Sequence, residues 1–207
     1  MENDLSFLLS TIELAANVEI GSEMLDHCEN KILKEQPKWY AYLEQQAILL
    51  QEAIKVFKAY DTSGRLKQFW QMLKNKKIRL GNGNFKKLMK IALSAYERGV
   101  LEDAYKMFCF ISTYYSRHYK VYLYLGSVVQ SLYGLEKASS FFETTTSVFP
   151  EPDLLFLAAE NEIQRENSSG ARNYLQKAED IFSGRTILTE EENELKSRIE
   201  EILTLLK

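Results

Sequence analysis

Three positions recur along this chain at a near-constant interval, and few folds can accommodate that recurrence. Ala92, Ala104 and Phe108 are followed 34 residues later by Gly126, Ala138 and Phe142, and 33 further on by Ala159, Ala171 and Leu175. Each set reads small, small, large, with internal spacings of 12 and 4. A period of roughly 20–50 residues is the mark of stacked supersecondary units, each too small to bury its own apolar face. The intervening segments have helical spacing, with breakers at the joints. Two antiparallel helices approach closely only where their facing side chains are small. The first small residue therefore belongs to one helix and the second to the next, and the large residue fills the space beside them. Gly99 falls between the two, at a helix end where a left-handed backbone costs little without a Cβ. Gly134 holds this place one residue later in the second copy, and Asn167-Ser168-Ser169-Gly170 reads as the turn of the third.

The spacing resembles the tetratricopeptide repeat, a helix–turn–helix unit. Leu88, Ile91, Ala92 and Tyr96, then Ala104, Phe108 and Ile111, match the two helices of one repeat. Tyr122, Leu125, Gly126, Ala138, Phe142 and Pro150 match the next, and Leu155, Ala158, Ala159, Ala171, Leu175 and Ala178 match a third. The resemblance implies an all-α solenoid of three helical hairpins at about residues 85–118, 119–151 and 152–184. Beyond them, Thr189-Glu190-Glu191-Glu192 reads as a capping box with Thr189 as N-cap. Leu195, Ile199, Ile202 and Leu206 follow at spacings of 4, 3 and 4 as one apolar stripe. A stacked array needs a terminal helix with one polar face, so residues 189–206 are expected to cap it.

The repeats and their cap make up residues 81–207, which leaves residues 1–80 as an extra helical N-terminal region to which the sequence assigns no role. There Leu5, Leu8, Leu9, Ile12, Ala15 and Ala16 share a helical face over residues 3–19, Gly21 breaks it, and a second helix fits residues 22–35. Pro37 suits the first turn of a longer helix, carried by Trp39, Leu43, Ala47, Leu50, Ile54 and Phe57 to Tyr60. Asp61-Thr62-Ser63-Gly64 is a turn signal, and Leu66 to Leu80 reads as a shorter helix.

Composition narrows the function by exclusion. Of 207 residues, 45% are apolar, enough for a sizeable core, and the net charge of −3 demands no acidic partner such as nucleic acid. Cys28 and Cys109 make no disulfide framework, so a reducing compartment is expected. The opening MENDLSFLLSTIEL is acidic where a signal peptide is basic, and no apolar run approaches the roughly 18 residues that span a bilayer. The expected location is the cytoplasm, without stable membrane insertion. His27 with Cys28, and His118 with Cys109, lack metal-ligand spacing, so neither a metal nor another cofactor is expected. Gly81-Asn82-Gly83-Asn84 lacks the Lys-Ser/Thr ending of a phosphate loop and reads as a turn entering the first repeat. Lys74, Lys76, Lys77, Arg79, Lys86, Lys87 and Lys90 form a basic cluster without interleaved aromatics, which reads as a solvated helix end. No converging catalytic groups can be placed, and an enzyme is not expected.

A repeat array presents the first helix of each hairpin on its inner face. Counting along those helices places Met89, Leu93 and Tyr96 there in the first repeat, Leu123, Ser127 and Gln130 in the second, and Phe156, Glu160 and Ile163 in the third. The mixture of apolar and polar groups suits an extended peptide with a few apolar anchors. Each buried apolar side chain contributes roughly 1.5–3 kcal/mol. Association costs at least about 4 kcal/mol. Two or three anchors with backbone hydrogen bonds would reach micromolar affinity.

A narrower resemblance lies in Tyr96-Glu97-Arg98-Gly99 with Glu102-Asp103-Ala104-Tyr105-Lys106-Met107-Phe108, and in Glu151-Pro152 followed by Phe156, Ala158, Ala159 and Glu160. These are similar to the first and third repeats of the class II (translocator) type III secretion chaperones, over about residues 85–207. The resemblance implies a bacterial cytoplasmic chaperone that holds a short apolar segment of a secreted translocator-like client in its concave groove, with Met89, Leu93 and Tyr96 lining it. The chain departs from that family in the length of its N-terminal region, through which members commonly dimerise, and which is here a candidate for self-association. Phe110 and Tyr114 also stand where smaller residues help to shape the groove. The alternative is a general repeat scaffold that joins two proteins in a regulatory or assembly complex.

Overall fold

The structure, a computed structural model, describes residues 37–74 and 82–206. The helices expected over 3–19 and 22–35, together with His27, Cys28, Lys76, Lys77 and Arg79, lie outside the described residues. Every regular element among the described residues is a helix. The chain divides into two compact units, with the boundary between Arg117 and His118.

The first unit contains α1 (Pro37–Tyr60), α2 (Lys67–Lys74), α3 (Asn82–Glu97) and α4 (Leu101–Tyr114). Helix α1 opens on the proline that pre-sets the first-turn backbone angle, and Leu50, Ala53, Ile54 and Phe57 form its buried stripe. At its end, the Asp61 carboxylate accepts hydrogen bonds from the backbone N–H of Arg65 at 2.9 Å and Leu66 at 2.8 Å. Gly64 supplies the left-handed turn residue with φ +65°.

Helices α3 and α4 form the first hairpin, with Ala92, Ala104 and Phe108 all fully buried. Gly99 has φ +74°; its N–H bonds to Tyr96 O at 2.9 Å, and the Val100 N–H reaches Ala95 O at 3.0 Å. That pair of bonds satisfies two of the carbonyls left open at the end of α3. The expected turn at residues 81–84 is corrected: α3 already begins at Asn82, so Gly83 and Asn84 lie in its first turn. A glycine there is tolerated because first-turn N–H groups have no intrahelical acceptor to lose.

Helix α1 packs chiefly on α4. Phe110 is the hub, with its ring centroid 5.5 Å from Phe57, 6.3 Å from Phe69 and 5.9 Å from Trp70. Tyr60 donates its hydroxyl to Asp103 at 3.0 Å, and Lys106 pairs with Glu52 at 2.9 Å. Phe110 is thus committed to the N-terminal helices. Its size, which the family resemblance connects with the groove, is explained by what packs on it here.

The second unit contains α5 (Lys120–Tyr133), α6 (Leu135–Val148), α7 (Pro152–Gln164), α8 (Ser168–Ser183) and α9 (Glu190–Leu205). Helices α5 and α6 meet where Gly126 faces the Phe142 ring, and Gly134, with φ +83°, turns one into the other. The expected turn at Asn167-Ser168-Ser169-Gly170 is also corrected. The left-handed residue is Glu166, with φ +60°, and α8 has already begun at Ser168. Asn167 is its N-cap, with Oδ1 accepting from the Gly170 N–H at 3.1 Å. The Glu166 N–H bonds to Ile163 O at 2.9 Å and the Asn167 N–H to Glu162 O at 2.8 Å. This is the same closing pattern as at Gly99, made without a glycine.

Helix α9 begins with a reciprocal cap: Thr189 Oγ1 accepts from the Glu192 N–H at 3.2 Å, and the Glu192 carboxylate accepts from the Thr189 N–H at 2.9 Å. Its Ile199 enters the core formed by Leu155, Phe156, Ala159, Ala171, Leu175, Ala178 and Phe182, with Leu195, Ile202 and Leu206 packed against it. The stripe read from the sequence is the face that closes the third hairpin.

Candidate functional site

Helical spacing brings Met89, Leu93 and Tyr96 onto one side of α3 in the first unit. Met89 is buried, while Leu93 and Tyr96 are half-buried. In the second unit Leu123, Ser127 and Gln130 are half-buried along α5. Ser127 donates its hydroxyl to Leu123 O at 3.1 Å, the back-bond a serine makes inside a helix. Gln130 donates Nε2 to Gln164 Oε1 at 2.9 Å, joining α5 to α7. These glutamines are one repeat period apart, a signal the sequence offered and that the inner-face count passed over.

On α7, Phe156 is buried, Glu160 half-buried and Ile163 exposed. Arg198 of α9 reaches this face: its guanidinium lies 4.8 Å from the Phe156 ring centre and 3.6 Å from the Glu160 carboxylate. Burial raises the Glu160 pKa, and the Arg198 charge works against that rise. Arg198 was not among the expected site residues, because nothing local in α9 marks one cation on a polar face as the one that turns back onto α7. With Phe156 covered, Leu123, Ser127, Gln130, Glu160 and Ile163 are the accessible ones among the expected site residues of these two helices. The face offers apolar carbons, an amide pair, a hydroxyl and one ion pair, which can hold an extended chain by its backbone and one or two side chains.

Burial pushes the Cys109 thiol up to about 12, with a weaker opposing effect from Tyr105, so it stays protonated near neutral pH. Among the described residues no group of three or more His, Cys, Asp or Glu side chains is placed to hold a metal ion. No described helix is long and apolar enough to cross a membrane.

No family model matches the sequence, and no curated protein does so significantly. Solved structures do match the fold. PcrH in complex with the chaperone binding region of PopD is 23% identical, with a TM-score of 0.52 over 61% of this chain and 93% of that one. The type III secretion translocator chaperone SycD of Yersinia enterocolitica is 22% identical, with a TM-score of 0.54 over 65% of this chain and 96% of that one. SycD in complex with a peptide of the translocator YopD gives 22% identity and a TM-score of 0.53 over 62% and 96% of the two chains. The chain carries the fold of these helical-repeat chaperones over nearly their whole length.

Proposed function

We propose that this protein is a cytoplasmic chaperone of a type III secretion system, which keeps a translocator-type client soluble by holding an extended apolar segment of it. The supporting observation is the fold shared along almost all of PcrH, a protein solved with the chaperone binding region of PopD. In this proposal the client contacts Leu93 and Tyr96 in the first unit, and Leu123, Ser127, Gln130, Glu160 and Ile163 in the second. Met89 and Phe156 support those faces from beneath, since both are buried. The activity is binding, with no chemical step.

Co-expression with a translocator-like client tests this. The wild-type chain is expected to raise the client's soluble fraction. Tyr96→Ala combined with Leu123→Ala is expected to abolish that effect while circular dichroism shows unchanged helicity. Full rescue by the double variant would rule out these faces. Binding that leaves client solubility unaltered would favour a scaffold.

A further inference from the structure

The first unit has a second feature with ligand-binding character, formed by residues outside the proposed client faces. A crevice of about 600 Å³ lies between the α1–α2 turn and one stripe of α3. Lys87 and Lys90 line it from α3, Arg98 from the turn directly after α3 and Arg65 from the α1–α2 turn, with Ile91 and Ala59 as apolar lining. Asp61 also lines it, but its carboxylate is engaged by the backbone N–H groups of Arg65 and Leu66. Arg98 is held in place over the Tyr60 ring, 5.6 Å from its centre. Among the described residues none of these four cations forms an ion pair. Lys87 and Lys90, two of the lysines that the sequence suggested were only a solvated helix end, therefore face an open crevice of net positive charge, four cations to the one carboxylate of Asp61.

The spacing of the charges indicates the ligand. Lys87 lies in α3 and Arg98, eleven residues on, directly follows its last residue Glu97, a span of about 16 Å at a rise of 1.5 Å per residue. A single phosphate needs its donors gathered around one point, and these are spread along a line. An extended peptide covers about 16 Å in roughly five residues and repeats its side chains on one face every two residues. Lys87 and Lys90 lie about 4.5 Å apart along the axis and Arg98 about 12 Å beyond, so carboxylates towards the two ends of such a segment would meet them, with Ile91 lining the space between. We infer that this crevice binds an extended acidic segment of a partner protein, with acidic side chains on one face of the strand.

The test is a low-salt anisotropy titration of the full chain with a fluorescein-labelled ten-residue peptide of alternating Glu and Leu. Counterparts carrying Gln or Lys in place of Glu serve as controls. The Glu peptide is expected to bind, the Gln and Lys peptides to bind far more weakly, and added salt to weaken the complex. Lys87→Glu with Lys90→Glu should lower affinity for the Glu peptide about tenfold, the sum of several surface ion pairs, and confer binding of the Lys peptide. Both lysines are exposed, so the fold should persist, and Lys87→Gln with Lys90→Gln provides a milder variant if the reversal unfolds the chain. Equal binding of the Glu and Gln peptides, no effect of either variant, or displacement of the peptide by millimolar inorganic phosphate would overturn the inference.

Discussion

Gly126 sits in the middle of α5, where glycine costs about 1 kcal/mol of helix stability relative to alanine. A Cβ there would lie 2.5 Å from Phe142 Cε1, 2.7 Å from Cζ and 3.2 Å from Phe141 Cε1. The Phe142 ring is itself enclosed, so it has no room to yield. Overpacking of a filled site costs about 1–3 kcal/mol, so Gly126→Ala should destabilise despite its better propensity, by about 1 kcal/mol or more in urea unfolding. Adding Phe142→Leu should recover part of that loss, and strict additivity of the two changes would show that the ring contact is not its cause. Glu162 is a second residue whose setting is specific. It is buried, and its carboxylate accepts from Ser139 Oγ at 2.6 Å, Asn167 Nδ2 at 2.5 Å and Arg165 at 2.7 Å. Burial alone would raise its pKa, but the bonds from Ser139, Asn167 and Arg165 outweigh that, and the carboxyl sits below its ordinary 4.5. A depressed folded-state value means that the stabilisation is complete above about pH 4.5 and is lost as the pH falls through the lowered value. Urea midpoints measured from pH 7 down to pH 3 should therefore fall more steeply below pH 4.5 in the wild type than in Glu162→Gln.

Between elements, α4 depends on α1 and α2 through one aromatic residue. Phe110 contacts three aromatic rings there and is fully buried. Truncating a buried phenylalanine costs about 3–5 kcal/mol, so Phe110→Ala should lower stability by about that amount, and a loss under about 1 kcal/mol would mean that the cluster is loosely packed. The same contact shows which parts of the structure were legible beforehand. Ala92, Ala104 and Phe108 could be read because hairpin packing dictates their size and the repeat supplies three samples of the pattern. The cap at Thr189 and the stripe from Leu195 to Leu206 could be read because both are local to one helix. Phe110 could not, since its meaning lies in Phe57 and Phe69, far away in sequence with no periodic relation to it. Arg198 was hidden for the same reason. The third turn differs for another reason: Asn167-Ser168-Ser169-Gly170 has the composition of a turn, but Asn167 captures the Gly170 N–H as a cap, and Glu166 takes the left-handed angle instead.

At the scale of the whole molecule, each repeat in an array is stabilised mainly by its immediate neighbours, so a terminal repeat needs something to cover its outer face. Helix α9 does this for the third hairpin by placing Ile199 in its core. Within the first unit α1 and α2 pack on the first hairpin by way of Phe110. The N-terminal helices are in this sense the counterpart of α9, although they are built from aromatic contacts where α9 uses an aliphatic stripe. Deletion of residues 1–81 should then uncover Phe110 and Tyr114 together, which are in ring contact at 4.7 Å. A contiguous apolar patch of this kind on a monomer promotes association. The truncated chain should elute from size exclusion with a raised light-scattering mass and bind an apolar dye, unlike the full chain. Phe110→Gln with Tyr114→Ser in the truncated background should restore a monodisperse peak, because the exposed surface would then be polar. If the truncated chain runs as the same species as the full chain and melts at the same temperature, the first hairpin is covered by something other than α1 and α2.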